Sequence, residues 1–72
     1  MTNNYIGCDS AASASAKIEI YNEYFNEYVS RYFYDDTKQA INQYRHWARP
    51  NHHRFFLKDI DTHKWVELAV IC

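Results

Sequence analysis

Apolar and polar positions change period several times along the chain, and each change marks an element. In residues 17–34, KIEIYNEYFNEYVSRYFY, polar pairs recur every four residues at Asn22-Glu23, Asn26-Glu27 and Ser30-Arg31. As a helix, this stretch aligns Ile18, Tyr21, Phe25, Tyr28 and Tyr32 on one stripe. As a hairpin turning at Asn26-Glu27, it places Ile18, Ile20, Tyr24, Val29 and Phe33 on one face. Glu19, Tyr21, Glu23, Phe25, Tyr28, Ser30, Tyr32 and Tyr34 then share the other. The content of Ile, Tyr, Phe and Val favours strands, so a hairpin is predicted. Asn-Glu lacks the Gly that a tight turn prefers, and this keeps the helix as the alternative.

Residues 36–48 carry the clearest helical signal. Asp36 (or Asp35) is placed to cap the first turn, where a carboxylate accepts free N–H groups and opposes the dipole. Ala40, Ile41, Tyr44, Trp47 and Ala48 form the apolar stripe, and Pro50 stops the helix. Residues 53–71 read as a second hairpin, with Asp59-Ile60-Asp61-Thr62-His63 supplying the side-chain acceptors of a turn. Leu57, Val66, Leu68 and Val70 are expected inside, and Phe56, Lys58, Trp65 and Glu67 outside. Residues 1–16 are small and polar, and suit either a mobile arm or the start of a helix capped by Asp9. The predicted fold is therefore α+β: residues 1–16 as an N-terminal arm, then a single domain over 17–72. That domain is a ββαββ arrangement, a four-stranded antiparallel sheet with one helix on one face. The alternative is two N-terminal helices followed by a C-terminal β-hairpin.

At 72 residues the chain is one domain with a marginal core. The apolar share of 47 % and aromatic share of 18 % exclude a wholly disordered chain, and no apolar run reaches membrane-spanning length. The two cysteines, Cys8 and Cys72, lie near the two ends. Two is few for a small secreted scaffold, so free thiols in a reducing cytoplasm are expected, and a bridge requires the ends to meet. No positively charged start followed by an apolar run is present, which agrees with a cytoplasmic location.

Helix and hairpin segments of this kind resemble a known class. Y-D-D-T-K-Q-A-I-N-Q-Y (Tyr34–Tyr44), followed by F-L-K-D-I-D-T-H-K-W-V-E-L (Phe56–Leu68), resembles the short ββαββ proteins of phages and mobile elements, anti-CRISPR proteins among them. The resemblance implies a non-enzymatic inhibitor in a bacterial host that covers a site on a larger protein or ribonucleoprotein complex.

The residues themselves offer no nucleotide-binding, nucleophile-elbow or zinc motif, so neither enzyme activity nor a cofactor is expected. His46, His52, His53 and His63 match no zinc spacing, and no metal site is expected. The net charge of −1 is unevenly divided. Residues 1–36 hold two basic against six acidic side chains, a net −4, and residues 37–72 six against three, a net +3. Two surfaces follow. The tyrosine-rich face of the first hairpin, with Glu19, Tyr21, Glu23, Tyr28, Tyr32, Tyr34 and Trp65, is the candidate for a protein partner or a second copy of the chain. Its acids point towards a basic partner surface. The segment Arg45, Trp47, Arg49, His52, His53 and Arg54 is the alternative, a phosphate- and base-binding loop. Direct nucleic-acid binding ranks second because the overall charge is slightly negative.

Overall fold

The computed structural model describes residues 4–10 and 12–72. Five strands and one helix follow the chain: β1 Tyr5–Gly7, β2 Ala16–Asn22, β3 Glu27–Tyr34, α1 Thr37–Trp47, a 3-10 turn Pro50–His52, β4 His53–Lys58 and β5 Trp65–Ile71. The strands form one sheet in the order β1-β5-β4-β2-β3. β1 runs parallel to β5, while the other neighbours are antiparallel. The sheet is thus five-stranded and mixed, where four antiparallel strands were expected. The extra strand comes from the segment expected as an arm, with Asp9 in the turn that follows β1 rather than at a helix start. Residues 1–3 and 11 of that segment lie outside the described residues. The alternative of two N-terminal helices is excluded, because residues 16–22 and 27–34 are both strands.

β2 is flanked by β3 and β4, and its two-residue alternation sets both faces of the sheet. Ala16 and Ile18 point to the helix and are fully buried beside Ile6, Ala40, Ile41 and Phe55. α1 begins where Asp36 accepts a hydrogen bond from the Lys38 N–H (2.9 Å). Its first residue, Thr37, is fully buried and donates its hydroxyl to the Ala14 carbonyl (2.7 Å). That bond ties the helix start to the chain entering β2. The helix ends at Ala48, which takes a left-handed conformation (φ 52°), and Pro50 opens the following 3-10 turn.

The β4–β5 turn follows the predicted chemistry: Asp59 Oδ1 accepts from the Asp61 N–H (2.8 Å) and the Thr62 N–H (3.3 Å). Leu57, Leu68 and Val70 pack on the core as expected.

The first hairpin departs from expectation. Its turn occupies residues 23–26, not Asn26-Glu27, and Asn26 supplies the positive φ (55°) that a Gly would otherwise give. Tyr21 lies opposite Tyr28, but the register then shifts, so that Ile20 faces Ser30 and Ile18 faces Tyr32. This β-bulge flips the outer part of β3. Tyr32 and Tyr34 join the helix side, and Phe33 goes to the opposite face.

The ends of the chain meet. Cys8 and Cys72 form a disulfide with a Cα–Cα distance of 5.0 Å, which replaces the expected free thiols. The parallel ladder brings them together, since the Cys8 N–H donates to the Ile71 carbonyl (3.1 Å). The bridge spans a sequence separation of 64, so chain-entropy arguments assign it about 4 kcal/mol of stability. Cys8→Ser is therefore expected to lower the unfolding free energy by about 3–4 kcal/mol in oxidising buffer. Dithiothreitol should lower the wild type equally and leave the variant unchanged. Denaturant melts with and without reductant measure both.

Candidate functional site

No element among the described residues covers the face of the sheet away from α1, and a continuous row of aromatic rings and cations runs across it. β2 contributes Lys17, Glu19 and Tyr21; β3 contributes Tyr28, Arg31 and Phe33; β4 contributes Arg54, Phe56 and Lys58; β5 contributes Trp65 and Glu67. Lys17 Nζ lies 4.9 Å from the Phe56 ring centroid and 5.1 Å from that of Trp65. The Arg54 guanidinium lies 4.8 Å from the Tyr28 ring and 4.9 Å from Phe56. Each cation is thus held against two rings, where the negative ring face attracts it. Phe33 meets Trp65 edge to face at 6.1 Å, and Tyr21 meets Tyr28 at 5.0 Å. The order across the face is Phe33, Trp65, Lys17, Phe56, Arg54, Tyr28, Tyr21. Phe56 is 9 % exposed although no element among the described residues covers it, and the two cations lie over its ring.

The acids on this face are committed to partners. Glu19 is only 6 % exposed and forms ion pairs with Lys17 (3.5 Å) and Arg31 (3.2 Å). Glu67 receives the Arg54 guanidinium in a two-pronged pair, with Nε to Oε1 at 2.8 Å and Nη2 to Oε2. The hydrogen bond from Arg54 holds the Glu67 carboxyl below its ordinary value, against the opposing effect of desolvation. The same bond raises the Arg54 guanidinium. With Lys17, Arg31, Arg54 and Lys58 against Glu19 and Glu67, the face carries a net +2. The acidic surface expected from sequence is therefore absent on this face.

The residues expected to form one tyrosine face are divided. Glu19, Tyr21, Tyr28 and Trp65 share the open face. Glu23 sits in the hairpin turn, with its Oε1 3.3 Å from His52 Nδ1. Tyr32 and Tyr34 lie on the helix side, where Tyr32 packs on Trp47 (5.3 Å) and burial raises the Tyr34 hydroxyl above its ordinary value, with a smaller push from Tyr32. The basic segment is divided as well. Trp47 stacks on His53 (5.1 Å, 22° between planes), and His53 Nδ1 contacts the Arg49 carbonyl. Arg45 and Arg49 are exposed at the end of α1. Arg54 belongs to the opposite face. Among the described residues, no three His, Cys, Asp or Glu converge in a metal-binding group. β4 and β5 pair no further than Phe55 and Leu68, and a groove of about 750 Å³ opens beyond them. Tyr44 and Phe55 line it, with Arg54 and Glu67 among its other walls.

Sequence reasoning missed Lys17, Arg31 and Phe33. The alternation A-K-I-E-I-Y over residues 16–21 already puts Lys17 and Glu19 on the side of Tyr21. Arg31 and Phe33 needed the bulge. The chain matches no protein-family model, no curated protein and no solved structure. No helix of the described residues is long and apolar enough to cross a membrane.

The Arg54–Glu67 pair makes stability depend on acid. A carboxyl whose folded value is depressed stabilises the fold above its unfolded value, about 4.3, and loses that effect as pH falls through the folded value. Both side chains are substantially solvated, so the pair is expected to contribute about 1 kcal/mol or less. Glu67→Gln should remove that increment at neutral pH, and the two proteins should converge in acid. Unfolding free energies measured across pH for both proteins test this, and parallel curves would contradict it.

Proposed function

We propose that this chain is a non-enzymatic binding protein that inhibits or modulates a larger protein or ribonucleoprotein complex by laying the open face of its sheet on it. An anti-CRISPR-like inhibitor encoded by a phage or mobile element, evading host defence, is the concrete form of that reading. The observation that carries it is the braced row of rings and cations. Tyr28 is 38 % and Phe33 65 % exposed on a face that no element among the described residues covers. Tyr and Trp anchor interfaces because they bring large contact area for few rotatable bonds. Here the rings are already held by Lys17 and Arg54, so little freedom remains to be lost on binding.

The charge of the face reverses the expected complementarity. Glu19 is neutralised within the fold, so the partner surface favoured is one bearing carboxylates or phosphates rather than basic groups. A nucleic-acid regulator using Arg45, Trp47, Arg49, His52, His53 and Arg54 draws less support. Those side chains lie on two faces, and Trp47 and His53 are stacked on each other. A cytoplasmic site of action in a bacterial host belongs to the inhibitor reading. In a reducing cytoplasm the Cys8–Cys72 bridge opens, and β1 is then held by its ladder to β5 and by the packing of Ile6 in the core.

Tagged wild type and a Tyr28→Ala/Trp65→Ala double variant are to be passed over bacterial lysate, with and without nuclease, and captured proteins identified by mass spectrometry. One defined complex that survives nuclease and is lost by at least tenfold in the double variant is the expected result. The variant must retain a cooperative melt for that loss to count. Undiminished capture by a folded double variant removes the open face from consideration. Capture that disappears with nuclease and weakens steeply with salt moves the function to nucleic acid.

A further inference from the structure

The two edges of the sheet are built very differently. β1 has three residues, is bonded to β5 on its inner side and is anchored by the Cys8–Cys72 bridge. β3 has eight residues and, among the described residues, no neighbour on its outer side. Along it, Tyr28 (38 %), Val29 (50 %), Tyr32 (43 %) and Phe33 (65 %) are exposed. Edge strands are normally blunted by Lys, Pro, shortness or inward charge. β3 is long and has no Lys or Pro; its only such features are Glu27 at its first position, Arg31, and a bulge at Val29 next to the turn. Its one cation, Arg31, is tied to Glu19, and its one bulge ends before Ser30, leaving Ser30–Tyr34 in regular pairing with β2.

From this we infer that β3 pairs antiparallel with β3 of a second copy of this chain, about a two-fold axis through Tyr32, to give a ten-stranded sheet. The backbone sets the register. The Lys58 N–H donates to the Ser15 carbonyl, so the odd residues of β2 bond towards β4 and the even ones towards β3. Ile18 faces Tyr32 and Ala16 faces Tyr34, so Tyr32 and Tyr34 bond inward. Arg31 and Phe33 therefore point their N–H and C=O groups outward. With Tyr32 opposite its own copy, Arg31 bonds reciprocally to Phe33 of the second copy, and its guanidinium meets that ring. A register two positions back places Arg31 directly against Arg31, a like-charge pair. It also draws the bulge at Val29 into the ladder. A register two positions forward needs Asp35, which lies beyond the strand.

The pairing leaves the open face free and makes the faces of the two copies continuous. It does not depend on what that face binds. Sedimentation equilibrium without reductant is the test, run on wild type and Phe33→Pro. Proline at 33 deletes an outward N–H and leaves the inward ladder intact. Wild type is expected at twice 8.7 kDa and the folded variant at 8.7 kDa. A wild type at the single mass across the concentration range overturns the inference, as does a folded variant that stays at twice the mass. Should the variant unfold, amide exchange of wild type decides. The Arg31 and Phe33 amides are expected to slow with increasing protein concentration, and concentration-independent exchange overturns the pairing.

Discussion

Glu19 is a carboxylate in the interior of a sheet, 6 % exposed and held by Lys17 and Arg31. Leaving such a group unpaired costs several kcal/mol, a large part of the total stability of a domain this size. The requirement therefore governs more than one residue. Arg31 must lie on the same face as Glu19, and with it Phe33. Tyr32 and Tyr34 are then forced to the helix side, where Trp47 and the core receive them. A one-residue slip of β3 would carry Arg31 to the apolar face and strand Glu19 with Lys17 alone. The bulge between the turn and Ser30 reconciles two demands: Tyr28 beside Tyr21 near the turn, and Arg31 beside Glu19 further out.

This also explains which parts of the fold were legible in the sequence. α1 could be read because its signals are local: Asp36 at the start, the Ala40, Ile41, Tyr44 stripe, and Pro50 beyond the end. The β4–β5 hairpin could be read because Asp59 makes its turn with its own neighbours. β3 was read in the wrong register because its correct one depends on an ion pair across strands, and alternation alone does not report a bulge. β1 was missed for a related reason. Three residues carry no period, and their partner β5 lies at the far end of the chain. The same distance hid the meeting of Cys8 and Cys72. The candidate face was half legible: Tyr21, Tyr28, Glu19 and Trp65 do share one face of the sheet, whereas the acidic character assigned to them ignored Lys17 and Arg31.

The core explains why so much is asked of the open face. The fully buried apolar side chains are few, led by Phe55, Ile18 and Ile41. A chain of this length buries too little surface to depend on them alone. The disulfide closes the chain at one edge of the sheet, and the cation–ring row braces the opposite face. Lys17 and Arg54 cover Phe56 with their stems and charges, doing what a second helix would do in a larger α+β protein.

One set of contacts holds the fold and, on the binding reading proposed above, would also present the recognition surface. Rings held by cations are ordered before any partner arrives, which favours binding. Those same cations cannot leave the rings without exposing Phe56 and either leaving Glu19 to Arg31 alone or unpairing Glu67. A partner that competes for Lys17 or Arg54 would act against the fold, whereas one that lies on Phe33, Trp65, Tyr28 and Tyr21 leaves every internal pair in place. The surface best suited to recognition is thus the aromatic one at the two ends of the row. On the proposed reading, the charge between them would steer an anionic partner without itself being given up.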